Sequence, residues 1–244
     1  MQKLVFFTTS WDDGHPLDSR VADLLSKHGF QGTFYAPLSN REGLPVLTTE
    51  SLRGLDQAFE VGSHTIDHCY LRTVDAAEAL RQIVGGKNQL EDVLGHAVRG
   101  FCYPGGEHET SHRKMVTAAG FEYARTIVNF HANVTPDPFR MPTTLQLYPH
   151  SRNVLMRNFI RHGRWMKRNP MFYLAMVNDD LLSRLKAMLD YVCEQGGVFH
   201  IWGHSWELDR FDGWAQLDSF LSYAAERIPL AQRLNNYDSL KQGI

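Results

Sequence analysis

Long apolar runs, cysteine and surplus charge are all scarce in this chain, and each scarcity closes off a class of function. No stretch of about eighteen apolar residues occurs, so nothing reads as a membrane-spanning helix. The three cysteines, Cys69, Cys102 and Cys193, cannot all pair within one chain. Their spacing fits neither a disulfide framework nor a zinc-ligand motif, and for Cys102 a buried packing role is expected in place of nucleophilic chemistry. A formal net charge of −2 gives no electrostatic reason to expect nucleic acid as a partner. Repeats, low-complexity segments and interdomain linkers are also missing, and 244 residues suffice to bury a full core. A single domain spanning 1–244 is therefore expected. The N-terminal residues run directly into the first acidic motif and leave no room for a cleavable leader, so a cytoplasmic location is expected.

What is present alternates short apolar runs with helical stretches, the pattern of an α/β protein with a mainly parallel sheet. Strands are predicted at 4–9, 32–36, 59–62, 98–102, 123–127, 144–148 and 198–202. Helices are predicted at 17–28, 51–59, 76–94, 111–119, 179–194 and 214–227.

Two motifs carry chemistry. Asp12-Asp13-Gly14 ends the apolar run that begins at Val5, and Gly62-Ser63-His64-Thr65-Ile66-Asp67-His68 follows fifty residues later. His64 and His68 share a face if the segment after Ser63 is helical. Neighbouring side chains at a strand end point in different directions, so one carboxylate can bind a divalent metal with both imidazoles while the other handles protons. Three protein ligands with an open position characterise a catalytic metal, which lowers the pKa of water from about 15.7 to about 7. Each motif alone has a bland reading: a turn for Asp-Asp-Gly, chance for His-x-x-x-His.

Ser10-Trp11-Asp12-Asp13-Gly14 resembles the Thr-Phe-Asp-Asp-Gly motif of the polysaccharide deacetylases, carbohydrate esterase family four, the nodulation-factor deacetylase homology domain. Gly32-Thr33-Phe34-Tyr35 is similar to its second strand, and Glu60 through His68 to its metal-binding motif. Phe101-Cys102-Tyr103-Pro104-Gly105-Gly106 is similar to its third motif, and Gly197 through His204 to its last strand. The resemblance spans roughly residues 4 to 207 and implies a distorted (β/α)7 barrel. It further implies Asp12 as general base, Asp13, His64 and His68 as ligands of one divalent ion, and His204 as general acid. The backbone N–H of Gly105 would stabilise an oxyanion. Zn2+ is the expected ion, with Co2+ or Ni2+ as alternatives.

The chain departs from that pattern in several places. Cys102 stands where the family carries an Arg that orients the catalytic Asp; Arg99 and Arg140 are the candidates to replace it. No Asp-Trp motif that would tune the acid His is evident after residue 126, and His150 has no assigned role. Gly105 replaces an aromatic residue, which should open the pocket. Tyr103, Trp206, Glu207 and Arg140 are candidate substrate contacts: Trp206 would stack on a sugar ring or plug the barrel end, and Glu207 would bind a hydroxyl or amine. His200 reads as a core histidine more readily than a ligand, and His108 and His112 as an ordinary helix start. His15, after Gly14, is expected near the pocket rim, with no firmer assignment.

The stretch 152–168 carries Arg152, Arg157, Arg161, Arg164, Lys167 and Arg168 and no acid, within an insertion at 152–178. Arg157, Arg161, Arg164 and Arg168 follow helical spacing, predicting a basic amphipathic helix. Such a helix is either solvated, covering a barrel flank, or lies on an anionic membrane surface. In the second case the protein would work at the inner face of the membrane.

The activity these residues imply is metal-dependent removal of an N-acetyl group from an amino sugar, on the route to a cell-surface glycan such as an O-antigen or lipopolysaccharide. The substrate is expected to be an intracellular acetamido sugar, nucleotide- or polyprenyl-linked. The alternatives are a sugar deformylase, a cyclic-amide hydrolase, and a non-catalytic carbohydrate-binding relative.

Overall fold

A computed structural model describes residues 3–133 and 136–242. In chain order its elements are β1 (Val5–Trp11), α1 (Asp18–Lys27), β2 (Thr33–Ala36), α2 (Thr49–Asp56), β3 (Glu60–Ser63), α3 (Ala76–Leu94) and β4 (Gly100–Cys102). They continue with α4 (Thr110–Ala118), β5 (Tyr123–Arg125), β6 (Leu145–Gln146), α5 (Arg152–Arg161), α6 (Trp165–Val177) and α7 (Leu181–Gln195). The last elements are β7 (Gly197–Gly203), α8 (Ser205–Arg210), α9 (Trp214–Ala225) and α10 (Asn236–Leu240). All seven predicted strands form, and each predicted helix has a counterpart displaced by a few residues or fewer.

The seven strands make one sheet in the order β5-β4-β3-β2-β1-β7-β6, with every pairing parallel. The sheet curls into the expected distorted (β/α)7 barrel. Parallel strands are covered by their crossover helices on the outside, which is why β1, VFFTTSW, has no exposed residue. Phe7 packs on Phe30, Phe199 and Phe220, joining β1 to β7 and α9. The inside of the sheet is polar: Thr8 donates to Asn236, which donates to Tyr35, which donates to Tyr123. Thus α10, not foreseen from the sequence, closes the N-terminal end of the strands with a satisfied hydrogen-bond network.

The register places the chemistry. β1 and β7 pair over seven positions, from Val5 with Gly197 to Trp11 with Gly203. The next residue on each strand, Asp12 and His204, therefore emerges side by side at the C-terminal rim, where such barrels collect their functional residues.

The basic segment folds differently from the single stripe expected. Gly163 and Arg164 both take left-handed backbone (φ 61° and 52°) and break it into α5 and α6. Arg168 turns inward and is fully buried. It donates to the carbonyls of Asn158, Phe159 and Gly163, satisfying groups left open at the end of α5, and to that of Asn129 between β5 and β6. Among the described residues no helix is long and apolar enough to cross a membrane.

Candidate active site

At the C-terminal rim of the sheet a cavity of about 370 Å³ is lined by Asp12, Asp13, His64, His68, Gly105 and His204, among others. Asp13 Oδ1 lies 3.2 Å from His68 Nε2 and 3.6 Å from His64 Nε2. The ligand atoms of the three residues fall within 4.8 Å of one another, all three side chains buried.

His64 and His68 do not meet through a helix. Residues 65–67 form a tight turn in which Thr65 (φ 69°) and His68 (φ 60°) take left-handed backbone. Non-glycine residues rarely adopt that conformation without compensation. Here Thr65 Oγ1 accepts from the Cys69 N–H at 2.8 Å, and Gln82 on α3 accepts from the Ile66 N–H at 3.1 Å. Helix α3 can approach so closely because Gly86 faces the turn; a Cβ there would sit 2.6 Å from the Thr65 carbonyl carbon.

Three observations test whether these residues suit a metal ion. Asp13 Oδ1 is buried and has no hydrogen-bond partner, a costly state unless a cation fills it. His64 Nδ1–H donates to the Cys102 carbonyl at 2.8 Å, so its Nε2 presents a lone pair toward Asp13, as in metal-ligating histidines. Trp206 Nε1–H donates to the other Asp13 oxygen at 2.9 Å and fixes that carboxylate. The set of one carboxylate and two imidazoles suits a divalent ion with an open position. A second cluster, Asp12, His64 and Cys102, shares His64. It is a weaker donor set, because burial pushes the Cys102 thiol up, away from the thiolate a metal needs.

The guanidinium that reaches Asp12 comes from neither Arg99 nor Arg140. Arg125, on β5 and without exposed surface, forms a short ion pair with Asp12 Oδ1. Arg99 stacks on Tyr237 at 4.0 Å, at the opposite end of the sheet. The Cys102 thiol, where the family has its Arg, donates weakly to Asp12 Oδ2 at 3.7 Å. Burial alone would raise the Asp12 carboxyl, but Arg125, with His64 and His204, holds it below the ordinary carboxylate value. The sequence held a signal for Arg125: an arginine in the short apolar strand Tyr123–Arg125 is buried and must find an anion.

His204 Nδ1–H donates to Glu207 Oε2 at 2.8 Å. Gln146 on β6 donates to the same Glu207 oxygen at 3.1 Å, and His150 donates to Gln146 at 2.8 Å. Glu207 is thus the carboxylate partner of the histidine, not a free group awaiting a substrate, and His150 anchors the far end of the chain. Burial lowers the His204 imidazole, but the Glu207 hydrogen bond and the Asp13 charge outweigh it and lift it to about 9. Its Nε2 faces the cavity, 3.9 Å from Asp13 Oδ2.

The remaining candidates have other placements. Tyr103 is fully buried, stacked on His108 with its hydroxyl donating to the Phe139 carbonyl, and has no surface to offer a substrate. Arg140 is exposed at the end of the turn Pro138–Arg140 and does not line the cavity. Trp206 lines the cavity, yet its nitrogen holds Asp13 and Arg210 lies over its ring at 4.5 Å. Gly105 does not open the pocket, because Tyr70 fills the space. A Cβ on Gly105 would sit 2.7 Å from the Tyr70 ring, and its φ of 61° is itself a glycine conformation. His200 is a core residue, accepting from Ser10 at 2.8 Å and donating to the Pro142 carbonyl, with burial holding it neutral. His112 caps α4 by accepting from the Glu109 N–H.

Comparison with known proteins agrees with this geometry. The chain aligns with a curated chitin deacetylase from Pestalotiopsis sp., 32% identical over 90 residues, which cover 36% of this chain and 30% of that protein. The matched region is thus under a third of that relative's length. The fold is similar to that of a Mycobacterium smegmatis protein described as a putative polysaccharide deacetylase, with a TM-score of 0.64 at 16% identity, covering 100% of this chain and 93% of that one. It is also similar to a family 4 carbohydrate esterase from Streptomyces lividans, solved with acetate, with a TM-score of 0.53 at 12% identity, covering 91% and 90%. The profile of the polysaccharide deacetylase family matches residues 2–124, half of the chain and the half that contributes Asp12, Asp13, His64, His68 and Gly105. The chain belongs to the polysaccharide deacetylase family.

Proposed function

We propose that this protein is a metal-dependent N-deacetylase, a single catalytic domain that hydrolyses the acetamido group of an amino sugar. The observation that carries this reading is the side-by-side emergence of a paired, ionised Asp12 and a Glu207-bound His204 beside the Asp13, His64 and His68 cluster. Amide hydrolysis needs both a base to activate water and an acid to protonate nitrogen. A divalent ion on Asp13, His64 and His68, Zn2+ in the first instance, would supply Lewis acidity toward water and the amide carbonyl. Asp12 accepts a proton from the attacking water, and Arg125 holds it ionised and aimed. The Gly105 N–H donates to the developing oxyanion. His204, protonated at Nε2 and held through Nδ1 by Glu207, gives its proton to the departing nitrogen, so the C–N bond breaks to acetate and a free amine.

The substrate is an acetamido sugar on the route to a cell-surface glycan of the O-antigen or lipopolysaccharide kind, carried on a nucleotide or polyprenyl group. Two measurements test the reading. About one divalent ion per chain is expected in the wild type and none in Asp13→Ala, with chelating tags removed. Acetate release from acetamido sugars is expected in the wild type and is lost by a factor of about 10² to 10⁴ in Asp12→Asn, which keeps its metal. A wild type that takes up no ion on reconstitution with zinc or cobalt refutes the mechanism. Formate in place of acetate points to a deformylase.

A further inference from the structure

Most of the large apolar side chains left exposed among the described residues fall on one helical pair. Of the nine large apolar side chains that are exposed among the described residues, six fall between 156 and 177, on α5 and α6. On α6, Met166, Tyr173 and Val177 are spaced i, i+7, i+11 and form one outward stripe, with Met166 91% exposed. Trp165 stands at the start of that helix, and Ile160 is exposed on α5. The inward faces are already committed: Phe159 stacks on Phe172 at 4.0 Å, and both pack on Phe130. Exposure on this scale, concentrated in one element pair, marks an interaction surface.

Charge narrows the partner. No acidic residue occurs between Ser151 and Asn178. Arg152 pairs with Asp179, Arg161 with Glu107, and Arg168 is buried against carbonyls. Arg157, Arg164 and Lys167 are exposed and make no ion pair among the described residues; Arg157 lies next to Met156 on α5, and Arg164 and Lys167 flank Trp165 and Met166 in sequence while lining a cavity with His131 and Met171. A second copy of the chain would set these cations against themselves, so a symmetric dimer through this face is disfavoured. Cations interleaved with Trp, Tyr, Met and Ile suit an anionic bilayer surface, where apolar groups enter the acyl boundary and the cations meet lipid phosphates.

We propose that the outward face of α5 and α6 docks the protein on an anionic lipid bilayer. The Arg161–Glu107 pair ties the end of α5 to the loop two residues past Gly105, so the docked face lies beside the cleft rim. The surface is independent of which amide the site hydrolyses.

The test is sedimentation of the full chain with phosphatidylcholine vesicles, with or without about 30% phosphatidylglycerol. Binding is expected to the anionic vesicles only, and to weaken at about 0.5 M salt, where charges are screened within a few ångströms. Arg157→Gln and Lys167→Gln should each weaken it about fivefold. Met166→Glu with Tyr173→Glu should abolish it, while the circular dichroism and turnover of a water-soluble substrate stay at wild-type levels. Failure of the wild type to bind, equal binding to neutral vesicles, or wild-type binding by the double variant overturns the proposal. So does a dimer in light scattering that the double variant dissolves, since a second copy would then be the occupant.

Discussion

Arg125, the last residue of the edge strand β5, holds Asp12 at the end of β1 in a buried ion pair across the sheet. The guanidinium packs on the rings of Trp202 and Tyr35, 4.9 and 5.4 Å from their centroids, which fixes its plane. Removing one partner of such a pair leaves an uncompensated buried charge. Arg125→Ala is expected to lose about 3–5 kcal/mol of stability, measured by denaturant unfolding. Arg125→Lys keeps the charge but not the planar fork. It should stay folded, with kcat reduced up to about 10²-fold through misaimed Asp12 and KM nearly unchanged.

That pair also marks where sequence reasoning reached its limit. The strands were legible because the alternation of apolar runs encodes them, and the grouping of Asp13, His64 and His68 because their motifs resemble those of the family. The orienting groups were not, because each acts across a long sequence separation or through geometry that spacing does not encode. Arg125 lies 113 residues from Asp12. Arg99, beside the expected motif in sequence, and Arg140, well beyond it, both point elsewhere in the fold. The helix expected between His64 and His68 is a turn, because Gln82 and the Thr65 hydroxyl stabilise left-handed backbone there. The stripe predicted for Arg157 through Arg168 fails at Gly163 and Arg164, where the backbone turns and sends Arg168 inward.

In the proposed mechanism His204 must be protonated, so activity is expected to fall as pH rises through its value, which the Glu207 hydrogen bond raises. After burial, which lowers it, the Glu207 hydrogen bond is the largest influence, and it raises the value, with Asp13 and Asp12 adding to it. Glu207→Gln removes the charge and must therefore bring the basic limb of the kcat profile to lower pH. A cation held by Asp13 would offset the Asp13 charge and lower both profiles, so the comparison is made with the same metal. Coincident profiles for wild type and Glu207→Gln would falsify the role of Glu207.

Under the proposed mechanism Trp206 would act on a bound metal through Asp13. Its indole N–H is the hydrogen bond that the second Asp13 oxygen accepts. Outer partners of this kind typically contribute 10- to 100-fold in metal affinity, so Trp206→Phe should weaken zinc binding by about that factor. The readout is a competitive chelator titration, independent of turnover. If Trp206 served only to stack on sugar, its loss would raise KM and leave the metal affinity at the wild-type level.

Gly105 and Tyr70 are coupled, and the coupling predicts the shape of the pocket. Alanine at 105 must adopt a left-handed backbone, at a cost of about 1–2 kcal/mol. Its Cβ must also displace the Tyr70 ring edge, which would lie 2.7 Å away. Gly105→Ala is therefore expected to lower Tm by about 2–8 °C. Adding Tyr70→Ala should restore the part due to the clash and leave the part due to the backbone, a non-additivity that a double-mutant cycle reads directly. Tyr70→Ala alone removes the ring that takes up the space opposite Gly105, enlarging the cleft beside His68. If the acyl group lies there, that variant gains propionamide over acetamide turnover relative to the wild type. An unchanged acyl preference would place the acyl group on the other side of the cleft, toward Trp202 and Ile127.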